Sequence, residues 1–591
     1  LRRFLPFPTS RRASPEGELI ARLEAAVGRR HVLRDAAGIR PYARGIRFGG
    51  GPCVAVVRPG SLVEQWRVVQ ACVDHDAIVI MQAANTGLTG GSTPFGEDYD
   101  RPVVIVNALR LDGNHVIRQG RQVICLPGST LYDLERLLAP FGREPHSVIG
   151  SSCIGASVIG GLCNNSGGSL IRRGPAFTEL AIFARIDTDG RLTLVNHLGV
   201  RLGNDPETIL DRLERGDFTD GDVEDAADRR ASDGAYEAHV RRIDEATPAR
   251  FNADPSRLFE ASGSAGRVVV FAVRLDTFAR EEETRVFYVG TNDPADLTRL
   301  RRRILADGAT LPISGEYMHR EAFDITATYG RDTYVAIGRL GTDRLPALYR
   351  WKARVDHLAS LVRLLPDHPT DRAMQWLSRF AGQHLPARMI DYRDRFEHHL
   401  MLKTAGDGIA EMRDLLAREC PPATAGFFEC DAVEGEAAFR HRFVAAGAAN
   451  RYRAIHADTV EDIVALDLAL PRNERDWREE LPADLDARIV HKLHYGHFLC
   501  HVFHADYIVR RGEDAGAIKA DLCALLDARG AEYPAEHNVG HLYTAKPALV
   551  DFYRSLDPVN AFNPGIGGTS KRKWWAAATP ARTGPANVPA P

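Results

Sequence analysis

An α+β protein of more than one domain is what this sequence predicts, on three observations. Helical and strand signals alternate over residues 16–80, and two glycine-rich loops break the pattern at 81–94 and 146–169. At 591 residues the chain is also too long for one core, and length alone sets an expectation of roughly two to four domains.

Taken in order, ELIARLEAAVG carries apolar residues at helical spacing and PCVAVVRP is a short buried strand. SLVEQWRVVQACVDHD is a second helix, and the strand AIVIM then delivers the chain into a small-residue loop at Gln82. Residues 202–230 are dominated by acidic side chains such as Asp205, Glu207, Asp211 and Glu214, which predicts a solvated, partly mobile insertion. Residues 344–395 shift the other way: Arg344, Arg350, Lys352, Arg354 and Arg363 are interleaved with Trp351, Leu361 and Trp376. The Ala/Pro-rich end is expected to be disordered.

Composition narrows the class. Apolar residues make up 44% and charged residues 26%, ordinary for a globular protein. A formal net charge of -3 gives no whole-molecule case for nucleic acid. Nine cysteines without a CxxC pair do not make a disulfide scaffold, so a reducing compartment is expected. No run of apolar residues is long enough to span a membrane.

The first loop, MQAANTGLTGGSTP, follows a strand, and its small residues let the backbone turn successive N–H groups toward an anion. It is neither a Walker loop nor a GxGxxG fingerprint. The second, HSVIGSSCIGASVIGGLCNNSGGS, has glycines enough to lie flat against a large planar ligand. Each loop alone is matched by a bland reading, a tight turn or a structural connection.

Together, about 65 residues apart with strand and helix signals between them, they resemble the FAD-binding domain of the vanillyl-alcohol-oxidase (PCMH) type. LFEASGSAGRVVVFAVRL resembles that family's third segment. PARFNADPSRLFE and YPAEHNVGHLY extend the likeness over nearly the whole chain, to the bacterial membrane-associated, quinone-linked D-lactate dehydrogenases. The resemblance implies FAD contacts at Ala83, Ala84, Asn85, Thr86, Gly87, Gly91, Ser92, Gly150, Ser157, Gly167 and Val270. Without His or Cys in the first loop, non-covalent FAD is expected. It further implies two α/β subdomains around FAD, an α+β cap and a basic membrane-facing insertion. The FAD-binding domain would span 1–276 and be completed by 528–575. The cap would comprise 277–343 and 396–527, with 344–395 binding the membrane and 576–591 as tail.

HKLHYGHFLCHVFHADY packs His491, His494, His497, His501 and His504 into one stretch. Alternation in FLCHVFHADYIV reads as a strand, with His497 before it and His504 within it; residues an even number apart share a face, so His497 and His501 would point the same way. His504 would join them only through a bulge or a turn near Gly496. Related 2-hydroxy-acid dehydrogenases carry two histidines at the spacing of His497 and His504, then a pair like Glu536-His537. In those relatives the two histidines and the glutamate hold a divalent metal and the last histidine is the base. Here the residues between the histidines are replaced by FLCHVF, so a metal site and a metal-free polar site both stay open. His537 is the expected base, since a histidine titrates near neutrality. Arg393 and Lys403, in a segment resembling the substrate cap, are the expected carboxylate cations.

The activity so implied is oxidation of D-lactate, with the electrons passed to a membrane quinone. The enzyme would sit peripherally on anionic lipid at the cytoplasmic side of the inner membrane. Glycolate or D-2-hydroxyglutarate is the alternative substrate, and an inactive flavin-binding membrane scaffold the non-enzyme alternative.

Overall fold

The computed structural model describes residues 14–147, 155–225, 228–340, 355, 369–378, 380 and 382–577. Helix α1 (Pro15–Val27) precedes a four-stranded sheet of β1 (Val32–Leu33), β2 (Ala55–Val57), β3 (Ile78–Gln82) and β4 (Val103–Asn107), in the order β1-β2-β4-β3. Strands β2, β4 and β3 are parallel, as the helical crossover α2 (Leu62–Asp74) between β2 and β3 requires. Ser61 caps α2 by accepting from the Glu64 amide at 3.1 Å, and the helix buries Leu62, Trp66, Val69 and Cys72. The glycine loop leaves the carboxyl end of β3, where open α/β sheets bind ligands. Gln82 ties the loop ends together, donating to Tyr42 O at 2.9 Å and Ser92 O at 2.8 Å.

A second, five-stranded sheet follows, of β5 (Asn114–Ile117), β6 (Gln122–Cys125), β8 (Ala181–Ile186), β9 (Leu192–Asn196) and β10 (Val269–Asp276). All its neighbours are antiparallel. A short ribbon pairs β7 (Arg143–Glu144) with β11 (Phe278–Ala279). Helix α3 (Val158–Cys163) is capped by Ser157, which accepts from Gly160 N at 3.1 Å, and packs Val158 and Leu162 into the core around Val270 and Val273. The acidic stretch at 202–230 is solvent-facing as expected, but part of it is docked on the core. Its helix α4 (Pro206–Arg215) buries Ile209, Leu210 and Leu213, and Glu207 pairs with Arg67 of α2 at 2.6 Å. The acidic residues face outward from a helix whose apolar stripe is docked.

The third sheet has seven strands: β12 (Thr284–Thr291), β13 (Ser314–His319), β14 (His398–Ala405), β15 (Ala425–Glu429), β16 (Val460–Ala469), β17 (Ile489–His497) and β18 (Val502–Arg510). Their order is β15-β12-β14-β13-β17-β18-β16, antiparallel throughout. Alternation along each strand separates two faces. One carries Phe287, Val289, Tyr317, Leu400, Leu402, Leu466, Leu468 and Phe503 into the largest apolar core. The other is split along its length: Tyr288, Met318, Met401, Leu493, Tyr495 and Ile508 pack under helices, while Glu316, Lys403, Asp467, His497 and His504 line a cavity. The helices on this side include α5 (Arg331–Leu340), α6 (Pro369–Ser378), α7 (Ala387–Arg395), α8 (Ala432–Phe443) and α9 (Ala445–Ile455).

The histidine-rich stretch is a hairpin: the strand expected over 498–509 begins only at Val502, and a turn follows His497. Phe498–Cys500 form a one-turn 3-10 helix, and His501 takes a left-handed conformation (φ 54°) that reverses the chain. His501 is therefore buried apart from His497, with its Nδ1 3.1 Å from Pro471 O, and His504 comes back to face His497. The chain finally returns to the first sheet: Val79 N donates to Ala561 O at 3.0 Å, and Phe562 is fully buried in that core. Most of 344–368, with the basic residues Arg344, Arg350, Lys352, Arg354 and Arg363, lies outside the described residues, as does the tail from 578.

Candidate active site

Sheet register places two carboxylate–histidine pairs side by side. Glu316 on β13 lies opposite His497 on β17, and Asp467 on β16 lies opposite His504 on β18. Each is a cross-strand pair on the same face. His497 is engaged at both nitrogens: Nδ1 sits 2.6 Å from Glu316 and Nε2 3.1 Å from Glu536. Burial opposes its charge, yet the two carboxylates push it up to about 10. Arg442 completes the group, 3.1 Å from Glu316 with its guanidinium over the Tyr495 ring.

The pair Glu536-His537 arrives from the C-terminal segment and is caught by Asp467. One oxygen of that carboxylate accepts from the Glu536 amide at 2.7 Å, the His537 amide at 3.0 Å and His537 Nδ1 at 2.8 Å. A carboxylate only accepts, so Nδ1 carries the hydrogen and a neutral ring keeps its lone pair on Nε2. That nitrogen has no protein partner among the described residues, and 38% of the His537 side chain is open to the cavity. Burial opposes the imidazolium, but Asp467 outweighs it and raises His537 above its ordinary value. Asp467 is itself held well below the carboxylate range by His537 and His504 against its own burial.

Two residues from PARFNADPSRLFE fasten this pair to the second glycine loop. Arg250, fully buried, pairs with Glu536 and also donates to Gly168 O. Burial notwithstanding, Arg250 and His497 hold Glu536 down at about 2. Asn252 donates to His537 O and, at 2.7 Å, to Asn164 O. Nothing in spacing or periodicity marks Arg250, Asn252, Glu316, Asp467 or Arg442. Their roles come from strand register and from contacts across long stretches of chain.

All of this opens on one cavity of about 2030 Å³. Ala83, Ala84, Asn85, Thr86, Gly87, Gly91, Ser92, Ser157 and Val270 line it, together with Lys403, His497, His504, Glu536 and His537. Gly167 lies behind the wall, where a Cβ would collide with Glu536. Gly150 lies outside the described residues. The loop fits a phosphate-bearing cofactor. Among the described residues no amide from Ala84 to Ser92 donates to another protein group, Asn85 is left-handed (φ 54°), and a Cβ on Gly91 would run into Asn538. The Asn563 amide nitrogen is spent on Gly91 O and Ala265 O at 2.8 Å each, leaving its buried oxygen unpartnered at the cavity wall.

Of the two expected cations, Lys403 lines the cavity and Arg393 does not. Arg393 sits on α7 and grips Asp324 with two bonds of 2.6 and 2.7 Å, with Asp394 at 2.8 Å. Two carboxylates already occupy its fork. Lys403 is one residue pair along the strand face from Glu316, about 7 Å in sheet geometry. Sequence reasoning missed Arg47, a cavity residue whose guanidinium is close enough to His537 to oppose its protonation. Its one side-chain bond among the described residues reaches Asn450 at 3.3 Å.

Comparison with known proteins agrees with this geometry. The family described as an FAD binding domain matches residues 53–194, and the one described as D-lactate dehydrogenase, membrane binding, matches 286–575. No described helix is long and apolar enough to cross a membrane. Two solved structures share the fold at 12% and 14% identity: p-cresol methylhydroxylase with substrate bound (TM-score 0.56, 94% of this chain and 97% of that one) and 4-ethylphenol oxidase from Gulosibacter chungangensis (0.52, 96% and 99%). The quinone-dependent D-lactate dehydrogenase of Escherichia coli is 57% identical over 94% of this chain and 97% of its own. Those of Haemophilus influenzae and Corynebacterium glutamicum are 55% and 46% identical, over 95% of this chain and 99% and 98% of theirs. With that identity across both chains, and an FAD-binding fold beneath it, this chain belongs to the quinone-dependent D-lactate dehydrogenases.

Proposed function

We propose that this chain oxidises D-lactate to pyruvate at non-covalently bound FAD and hands the electron pair to a membrane quinone. The observation carrying this reading is the His537–Asp467 pair, open to the cavity between the two glycine loops. Bound FAD supplies the hydride acceptor at flavin N5. His537 Nε2 takes the hydroxyl proton while Asp467 fixes the ring and stabilises the resulting cation. Arg47 grips the substrate carboxylate, and Lys403 adds positive potential further along the wall. Arg250 and Asn252 hold residues 536–537 against the second loop and are positioning residues.

Anaerobic titration of the yellow holoenzyme tests this. D-lactate should bleach the flavin band and L-lactate should not. Bleaching by neither would remove lactate and leave larger 2-hydroxy acids.

The same residues also fit a divalent cation. Ligand atoms of His497, His504 and Glu536 lie within 4.8 Å of one another. His497 is backed by Glu316 at 2.6 Å and His504 by Asp467 at 3.4 Å, the arrangement that orients metal-bound histidines. An ion there would replace the His497 proton and polarise the substrate hydroxyl. One equivalent of metal by elemental analysis, lost in Glu536→Gln, would establish the ion; a metal-free active enzyme would exclude it.

Residues 344–395 are proposed to dock on anionic lipid at the cytoplasmic side of the inner membrane. In the described part of that segment, Trp376 and Phe380 are 57% and 72% exposed and contact each other edge to face. Vesicles carrying anionic lipid should retain the protein at low salt and release it at high salt.

A further inference from the structure

Two chemically different groups of cavity-lining residues lie at opposite ends of α8. At its N-terminal end Arg280, Glu281, Arg285 and Lys403 are gathered, held to the helix by the Cys430 amide donating to Val286 O at 2.8 Å. At its C-terminal end the lining carries Ile46, Ile337, Phe439, Phe443 and Ala446, alongside Arg47, Arg440, Asn450 and Arg453. Eleven helical steps separate the ends, about 17 Å. Ile46 is 58% and Phe443 37% exposed although both line the cavity, so the cavity reaches the surface at this end. A mouth framed by uncovered apolar side chains is costly in water unless something apolar passes through it.

The apolar rim is continuous with the membrane-binding part of the chain. Ile337 belongs to α5, which leads directly into the basic segment, and α6 emerges from that segment carrying Trp376. Both helices are clamped to α9 by one buried residue: Arg451 pairs with Asp332 of α5 at 3.0 Å and with Asp371 of α6 at 2.9 Å. Helix α9 presents Ala446, Asn450 and Arg453 to the cavity at spacings of four and three, one helical face. Asn450 on that face bonds Arg47, at the threshold of the polar cluster. A single helix thus joins the membrane anchor to the cavity wall.

We propose that the mouth between Ile46, Ile337, Phe439 and Phe443 is the entrance for a membrane-dissolved isoprenoid quinone, its ring passing inward and its tail left toward the lipid. This rests on the reading above that a quinone is the electron acceptor. The cavity of about 2030 Å³ is larger than the ~300–1,000 Å³ of an ordinary ligand pocket, and FAD would take the part of it between the two glycine loops. Electrons and protons balance. The reduced flavin gives up a hydride equivalent, two electrons and one proton, and is reoxidised. The second proton of the quinol is the one His537 took from the lactate hydroxyl, so the base is restored.

The test uses full-length holoenzyme on vesicles with a photoreactive quinone bearing an isoprenoid tail. Illumination should label peptides containing Ile46, Ile337 or Phe439–Ala446, and label confined to the Arg280–Arg285 rim or elsewhere would overturn the proposal. Ile46→Ser and Phe443→Ser should each lower kcat/KM for the tailed quinone by about tenfold, the scale of losing apolar burial. Flavin bleaching by D-lactate and reoxidation by a water-soluble dye should stay within about twofold. Normal bleaching with unchanged quinone reduction would refute the entrance alone. A wild-type flavin that D-lactate does not bleach would refute the functional reading beneath it.

Discussion

Two histidines on the same cavity wall, His537 and His497, sit in opposite circumstances. Both are backed by carboxylates and both are raised above the ordinary histidine value. His497 has a carboxylate on each nitrogen, whereas His537 has one carboxylate and a nitrogen open to the cavity. A histidine closed at both ends keeps its proton and organises charge. One closed at a single end can exchange its proton with a ligand. The count around them supports this: Glu316, Glu536 and Asp467 are balanced by Arg250, Arg442 and cationic His497. His537 alone then changes the charge of the site when it takes a proton.

Removing the open histidine tests this distinction hardest. His537→Ala should lower the rate of flavin reduction by about 10²–10⁴-fold, the range for losing a positioned base, with the visible flavin spectrum retained. Stopped-flow mixing with D-lactate measures both. A rate near that of the wild type would make His537 an orienting residue.

Asp467→Asn sharpens the comparison through pH. Asp467 stabilises the imidazolium, so the neutral, base-competent ring is lost as pH falls through the raised value. Removing that charge should move the acid limb of kcat/KM to lower pH, while the slower, less oriented base lowers the plateau, by about tenfold or more. Arg47→Ala should follow in size. Losing a charge-assisted contact to the carboxylate should raise KM for D-lactate about ten- to a hundredfold and change kcat less.

How much of this could be read from the chain depends on whether a role is local. The loop at 83–92 is one contiguous stretch whose glycines and left-handed Asn85 act in place, and all of it but Gly90 lines the cavity. Glu536-His537 and the 497/504 spacing were likewise visible. Asp467 and Glu316 were not, because each matters only through the residue that sheet register sets opposite it. The hairpin at 498–501 is half legible: Phe498, Leu499 and Cys500 are as apolar as strand residues, and only Gly496 hints at the turn that brings His504 back to His497. Helix α4 is hidden for the converse reason: the acidic residues in and around it outweigh the Ile209, Leu210 and Leu213 stripe that docks it.

The closed histidine should report in stability more than in chemistry. Its folded value of about 10 stands above the unfolded value near 6.5, so its stabilising contribution is full below about pH 6.5 and is lost as pH rises toward 10. The melting temperature of the metal-free, FAD-bound enzyme should fall across that window, and His497→Gln should flatten the fall. An unchanged slope would show that His497 does not carry its proton in the folded state.

The smallest effect belongs to Arg393. Arginine in a segment resembling a substrate cap invites a carboxylate-binding role, but a guanidinium can serve only the partners its fork still has free. Asp324 takes two of its N–H groups and Asp394 a third, on a helix outside the cavity wall. The pairs are partly exposed, and such pairs contribute about 0–1 kcal/mol. Arg393→Ala should therefore leave KM for D-lactate within about twofold and cost little stability. Side-by-side saturation curves for Arg393→Ala and Arg47→Ala separate the two cations directly. A tenfold rise in KM for Arg393→Ala would require the cap to rearrange on binding, bringing α7 over the substrate and breaking its hold on Asp324.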